Sequence, residues 1–442
     1  MSSVVESPAS ADNGTILPPV WSKFMLDVYI GRKGPGALGT VSFEEIEAKA
    51  KEASKDHIES FNFAYDGAGT GATTRANVKA FSKYAIIPRM LVNASTRSLE
   101  TTIFGVKHPS PILMAPIGLQ GVHHPDAELA SARAGGKLGI PFIMSTPSSR
   151  CIEEVAQANG NGTRWFQLYR PRSDDVCLSL LNRAKANGFS ALVITLDAVQ
   201  LGWRHNDLRV AYMPYRHGFG NQVGRSDPVF MARYGKQPIY DEHPEFPYDQ
   251  DKLDKLILEG DEVAKERAFI GMEWAKECNA GKYWTWEDLK FVRENWDGPL
   301  VLKGVQSVED AEGAIDYGAD GIVVSNHGGR QIDGALPSLV ALDRIMQSTR
   351  ILEAQKAGKL TVLFDSGVRT GSDIIKAIAL GAQGVLLGRP WLYGLMIAGE
   401  EGVAQVLKHT LADLDVTLGL SGWKNLTEIH GGREAVITKV DL

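Results

Sequence analysis

The chain has 442 residues, with 47 Lys plus Arg against 53 Asp plus Glu and a net charge of −6. That balance offers no global basic surface to nucleic acid. With 44% hydrophobic and 23% charged residues, wholesale disorder is excluded and a large core is available. Three isolated cysteines, Cys151, Cys177 and Cys278, make neither a disulfide framework nor a cysteine metal site, and a reducing compartment fits.

Residues 1–20, Ser/Ala-rich and acidic at the start, read as a disordered tail without a secretory signal. No apolar run is long enough to span a membrane, and the expected setting is cytoplasmic. Residues 21–442 read as one domain. Its first piece is helical. Ser42-Phe43-Glu44-Glu45 has the pattern of a capping box, and Phe43, Ile46 and Ala50 then share one helix face. The Gly34-Pro35-Gly36-Ala37-Leu38-Gly39 stretch before it matches GxGxxG. It reads as a turn, because Pro35 sits inside it and the helix starts later, at Ser42.

From Pro111 onward, eight short apolar runs alternate with amphipathic segments: 111–118, 141–146, 164–169, 191–197, 300–305, 321–329, 361–367 and 384–390. Continuous apolar runs between helices are the pattern of parallel strands buried on both faces. Eight such units predict an α/β fold, a (β/α)8 TIM barrel with an N-terminal helical extension. One strand-to-strand step is far longer than the others, from Ala191 to Leu300. It places an insertion over about residues 205–285, at the end of the barrel where active sites form, as a lid or an oligomer contact. Its middle, 241–267, holds ten acidic and four basic residues and reads as solvated and partly mobile.

Catalytic groups in such a barrel come from the C-terminal strand ends. After strands seven and eight, Gly367, Arg369, Gly388 and Arg389 combine free backbone amides with positive charge, which suits a phosphate. A second group is Gln167, Tyr169, Thr195, Asp197, Lys303, His327 and Arg330. Asp197 beside His327 orients an imidazole and favours its charged form, the arrangement of a general base. Arg330 suits a carboxylate, and Lys303 places fixed positive charge under the site. His123-His124, without further ligands nearby in sequence, reads as structural or surface, and no metal is expected.

The run Ser325-Asn326-His327-Gly328-Gly329-Arg330-Gln331 resembles the signature of the FMN-dependent α-hydroxy-acid oxidising enzymes, and the resemblance extends over roughly residues 29–431. Gly202-Trp203-Arg204, Asp227-Pro228-Val229-Phe230 and Thr285-Trp286-Glu287-Asp288 resemble the lactate 2-monooxygenase branch. The resemblance implies FMN as cofactor. Pro116, Ile117 and Gly118 would lie along the flavin, and Ser145, Gln167, Thr195, Lys303 and Ser325 would contact its ring. Asp365, Gly367, Arg369, Gly388 and Arg389 would hold its ribityl phosphate. His327 would be the base paired with Asp197, with Arg204, Arg330 and Tyr169 binding substrate. It further implies a small lactate-like L-2-hydroxy acid as substrate, O2 as oxidant, oxidative decarboxylation as outcome, and a homo-oligomer, tetramer or octamer. The alternatives are an oxidase that releases peroxide from a different substrate, and a flavin-binding protein of low turnover.

Three positions depart from the family pattern. Phe63 stands where a substrate-binding Tyr is usual, and Tyr65, two residues on, is the candidate to replace it. Gly118 stands where oxidases tend to carry Ala, which implies more room beside the flavin. Pro147 stands in place of a pocket Trp.

Overall fold

The computed structural model describes residues 21–278 and 281–440; the expected disordered tail, 1–20, lies outside the described residues. Eight parallel strands close into a barrel: β1 (Ile112–Met114), β2 (Phe142–Ser145), β3 (Arg164–Leu168), β4 (Leu192–Thr195), β5 (Leu300–Val305), β6 (Gly321–Val324), β7 (Thr361–Phe364) and β8 (Gly384–Leu387). They follow one another around the ring in chain order, and β8 returns to β1 through Val385 opposite Ile112 and Leu387 opposite Met114. The expected α/β barrel is the observed fold.

Side chains alternate along these strands with period two. Leu113, Ile143, Trp165, Val193, Val301, Val323, Leu363 and Leu386 fill the interior. Their neighbours Met114, Phe142, Phe166, Ile194, Leu302, Ile322, Phe364 and Leu387 pack outward under the helices. With both faces buried, each strand reads as a plain apolar run.

A hairpin not apparent in the sequence closes the barrel floor. Thr101–Ile103 pairs antiparallel with Val106–His108. Its turn residues, Phe104 and Gly105, both have positive φ, 50° and 75°, as the tight turns favoured by hairpin twist require. Phe104 thereby enters the barrel, with its ring 5.5 Å from that of Trp165. Glycine at the start of β6 and β8 makes room for this plug. A Cβ on Gly321 would lie 2.9 Å from the Phe104 ring, and one on Gly384 3.0 Å from Ile103.

The N-terminal helices include Phe43–Ala53, Ile58–Tyr65 and Ala72–Ala80. The first is capped by Ser42, whose hydroxyl oxygen accepts the Glu45 N–H at 3.3 Å. The reciprocal half of the box is not made by Glu45, because the Ser42 N–H goes to Thr40 Oγ1 at 3.1 Å. The glycine-rich stretch ahead of it is a turn, closed by the Gly39 N–H on the Gly36 carbonyl.

The middle of the insertion is solvated, as its charge predicts, with no buried residue over Gln250–Glu259. It is largely helical, with Gln250–Glu259 and Glu262–Cys278. Asp249 caps the first helix through Lys252 N–H at 3.0 Å. Glu242 bridges Arg225 and Arg267, so part of the acidic excess serves as caps and ion pairs. The aromatic part of the insertion covers the barrel mouth, where Tyr212, Phe219 and Tyr248 pack with Phe63, Leu119 and Val122. Among the described residues no helix is long and apolar enough to cross a membrane.

Gly321→Ala should destabilise the fold by about 1–3 kcal/mol, the usual cost of overpacking a filled core, measured by urea unfolding. The double variant with Phe104→Leu should recover part of that loss, because the Thr361 carbonyl oxygen, 3.0 Å from the added Cβ, stays in place.

Candidate active site

The C-terminal ends of the strands and the insertion line one cleft with a cavity volume of about 180 Å³. Pro116, Ile117, Gly118, Ser145, Tyr169, Arg204, Lys303, His327, Arg330, Asp365, Gly367, Arg369, Gly388, Arg389 and Phe63 all line it. Gln167, Asp197 and Ser325 bond the lining residues Ser145, His327 and Lys303, and Thr195 lies opposite Lys303 in the barrel.

Lys303 organises that wall. Its ammonium is 3% exposed and bonds Ser325 Oγ at 3.1 Å. The carboxylates of Asp197 and Asp365 lie 3.9 and 3.7 Å away. Burial by itself would lower the lysine pKa, but the two carboxylates outweigh it and hold the pKa above the ordinary value. For Asp197, burial pushes upward, and Lys303 and His327 together bring the pKa below that of a free aspartate.

His327 Nδ1 lies 2.8 Å from Asp197 Oδ1. The sequence suggests that this pair favours imidazolium, and Asp197 does pull that way. Burial works in the opposite direction, helped by the charges of Lys303 and Arg330, and the net shift is downward. The imidazole is therefore neutral around pH 7, with Nδ1–H donated to Asp197 and Nε2 free to accept a proton. His327 has a φ of 58°, strained for a side chain of its size. Two ties hold it there. Its N–H bonds Ser325 Oγ at 3.1 Å. Next to it, Asn326 exchanges side-chain amide hydrogen bonds with Asn77 at 2.8 and 2.7 Å, which fastens the loop to the Ala72–Ala80 helix. Sequence reasoning did not find this buried amide pair, and nothing in the spacing of two residues 249 apart marks it.

The arginines converge on the mouth. Arg330 donates to the carbonyls of Phe63, Ala64 and Asp66 at 2.6, 3.1 and 3.1 Å. Arg389 donates to those of Ala64, Gly328 and Asp66 at 3.0, 3.0 and 3.2 Å. Both guanidinium groups thus meet free carbonyls at the C-terminal end of the Ile58–Tyr65 helix, a favourable place for positive charge. Arg369 bonds the Val368 carbonyl at 2.8 Å and lies 4.2 Å over the Phe43 ring. Arg204 pairs with Asp207 at 3.2 Å. Burial and the neighbouring guanidinium charges push Arg330 down to about 9 and Arg369 down to about 10. Such crowding of buried cations is relieved by anionic ligands.

Phe63 does line the cleft, with its ring 5.0 Å under Arg204 and 5.4 Å under Arg330. Tyr65 does not take over as a donor: it is 45% exposed and stacks on Phe61 outside the cleft. Residues 63 and 65 of one helix are about 200° apart around its axis, so they face opposite ways. Gly118 also departs from its expectation. A Cβ there would lie 2.6 Å from the Pro147 carbonyl oxygen and 2.7 Å from its ring, so Pro147 fills the space that Gly118 leaves. Sequence reasoning missed Tyr215. This insertion residue also lines the cleft, and burial raises its pKa to about 12 against the opposing charges of Arg204 and Arg330.

Several buried polar atoms here have no hydrogen-bond partner among the described residues: Gln167 Nε2, Thr195 Oγ1 and Asp197 Oδ2. Gln167 does accept from Ser145 Oγ at 2.8 Å and from the Thr146 N–H at 3.2 Å, so its oxygen is assigned and its amide nitrogen remains to donate. Buried polar atoms are nearly always paired. A planar polar ring edge at the strand ends, with an anionic tail toward Arg369 and Arg389, fits these residues.

Residues 53–437 match the FMN-dependent dehydrogenase family. The chain belongs to that family. It is 40% identical to the FMN-dependent alpha-hydroxy acid dehydrogenase qulF of Penicillium citrinum, over 87% of this chain and 88% of the relative. It is 43% identical to an FMN-dependent alpha-hydroxy acid dehydrogenase of Schizosaccharomyces pombe, over 81% and 83%. Among solved structures, a lactate oxidase of Pediococcus acidilactici superposes with a TM-score of 0.73 at 30% identity, over 91% of this chain and 96% of that one. The cofactor is FMN, and the chemistry is flavin-dependent oxidation of an α-hydroxy acid.

Gly118→Ala should weaken the flavoenzyme by about 1–3 kcal/mol through the collision with Pro147, measured as a lower denaturation midpoint of the FMN-loaded protein. An unchanged midpoint would show that the loop has slack.

Proposed function

We propose that this flavoenzyme converts an L-2-hydroxy acid to the 2-oxo acid, with His327 as base and O2 as the final electron acceptor. The observation that carries the reading is His327 Nδ1 2.8 Å from Asp197 Oδ1, in the same cleft as Arg204 and Arg330. Bound FMN supplies the two-electron acceptor. Ser145, Gln167, Thr195, Lys303 and Ser325 are suited to hold its ring, alongside the Pro116–Gly118 backbone. Asp365, Gly367, Arg369, Gly388 and Arg389 are suited to its ribityl phosphate.

Arg204 and Arg330 grip the substrate carboxylate, and Tyr169 donates its hydroxyl to the carboxylate or the 2-hydroxyl. His327 Nε2 takes one proton from the 2-hydroxy carbon unit, and the charge that develops on its ring is stabilised by Asp197. The acid loses two electrons and two protons in all. Lys303 supplies a fixed positive charge against the negative charge that arrives in the ring site. Tyr212, Phe219 and Tyr248 pack on Phe63 and Leu119 and so back the cleft wall with an apolar cover.

That cover also supports a monooxygenase-type outcome. A 2-oxo acid retained beneath it reacts with the hydrogen peroxide formed from O2, and loses its carboxyl group. Lactate plus O2 then gives acetate, carbon dioxide and water. An open mouth would release peroxide instead. Assembly as a homo-oligomer, tetramer or octamer, in the cytoplasm completes the reading. The exposed Trp203, Leu208 and Tyr283 side chains offer apolar surface for a subunit contact.

Anaerobic mixing with L-lactate and longer 2-hydroxy acids should bleach the flavin band; bleaching by none would overturn the reaction class. On admission of air, stoichiometric carboxylic acid without free peroxide is expected of the monooxygenase outcome. His327→Gln should slow flavin reduction by about 10²–10⁴-fold, the usual worth of a general base. Because the His327 pKa lies below the ordinary 6.5, kcat/KM should rise with pH along an acid limb centred below 6.5. A limb centred above it would mean that imidazolium is favoured in the free enzyme.

A further inference from the structure

His123 is a polar ring in the cleft that the chemistry above does not use. The two members of the His123-His124 pair behave differently. His124 has a local structural role, with its Nδ1 accepting the Asp126 N–H at 3.1 Å. His123 lines the cleft and is 2% exposed. Its Nδ1 is fully buried without a partner, and neither ring nitrogen is hydrogen-bonded to the described residues.

The backbone beneath it is firmly held. His123 ends the short turn Gln120–Val122. The Gln120 N–H donates to Glu128 Oε1 at 3.2 Å, and the Gly121 N–H to Ser149 Oγ at 2.9 Å. The ring faces Phe63 at 6.5 Å between centroids, and Phe63 meets Tyr212 on another side at 5.7 Å. Burial, with the charges of Arg330 and His57, pushes the imidazole pKa down to about 3. The ring therefore stays neutral, with one nitrogen a donor and the other an acceptor. A buried neutral imidazole that faces a cavity beside an aromatic wall is suited to a hydrogen-bonding ligand group.

Three groups at C2 of a 2-hydroxy acid are already matched: the carboxylate by Arg204 and Arg330, the hydroxyl and hydrogen by Tyr169 and His327. The remaining substituent is the side chain, which must lie along Phe63, Leu119 and Pro147. We propose that His123 is a specificity residue that hydrogen-bonds a polar group on that side chain. The preferred substrates are then 2-hydroxy acids with an aromatic or extended apolar side chain that carries a hydroxyl or similar group. This inference rests on the function proposed above and extends it to the substrate class.

The test compares L-3-(4-hydroxyphenyl)lactate with L-3-phenyllactate in anaerobic reduction of the FMN-loaded protein. Wild type should prefer the hydroxylated acid by about tenfold or more in specificity, a difference of ~1.4 kcal/mol. His123→Leu should lose that preference while it reduces with 3-phenyllactate within about threefold of wild type. His123→Gln, which keeps a donor and an acceptor, should retain part of it. FMN content and Tm of each variant report whether the site is intact. Should a variant not hold FMN, wild type alone still decides, because 3-(4-hydroxyphenyl)pyruvate should then inhibit about tenfold better than 3-phenylpyruvate. No preference in wild type, or an undiminished one in His123→Leu, overturns the role of His123 and leaves the reaction class standing. Failure of every 2-hydroxy acid to reduce the flavin overturns both.

Discussion

The buried ammonium of Lys303 is the constraint on which the rest of the site depends. A lone charge 3% exposed in a barrel mouth would shed its proton or unfold its surroundings. Asp197 and Asp365, from the ends of β4 and β7, keep it charged. Asp197 in turn must stay ionised to orient His327, and Lys303 and His327 together keep it so. Charge and orientation therefore support one another around a closed ring of strands, and removing any of these side chains costs a buried neighbour one of its partners.

A second set of charges works at the rim. Arg330 and Arg389 both bind carbonyls at the end of the Ile58–Tyr65 helix, so the N-terminal extension is fastened to the loops after β6 and β8. The same guanidinium groups face the cleft. This double use explains why the helix that carries Phe63 forms part of the substrate wall. The insertion completes that wall through Tyr215, while Tyr212, Phe219 and Tyr248 pack against Phe63 behind it. Three segments distant in sequence thus meet over one cleft, joined by ion–carbonyl bonds on one side and aromatic packing on the other.

The loop that carries His327 is strained. His327 at positive φ is followed by Gly328 and Gly329, also at positive φ. Glycine is needed at 329 because a Cβ there would lie 2.5 Å from the Thr74 backbone nitrogen. The cost of holding His327 in this conformation is offset by the Asn77–Asn326 amide pair and by the Ser325 hydroxyl. Without that support the imidazole would leave the left-handed region and lose its alignment with Asp197.

Barrel architecture was legible in the sequence because it follows from local pattern: eight apolar runs, helical spacers and one long step at the insertion. The strand-end groups were legible for the same reason. A barrel directs every C-terminal strand end to one face, so Asp197, Lys303, His327, Asp365 and Arg389 could be brought together without a structure. The floor hairpin escaped because its strands are three residues long and the first of its two positive-φ turn residues is Phe104 rather than a glycine. Neither the Asn77–Asn326 pair, the collision between Gly118 and Pro147, nor the outward orientation of Tyr65 could be read from spacing. Each depends on how separate segments approach, and packing at a distance of a few ångströms has no local signature. The net pKa direction of His327 belongs with them. The sequence showed the Asp–His pair, which favours the charged ring; only the tertiary structure set the depth of burial that reverses it.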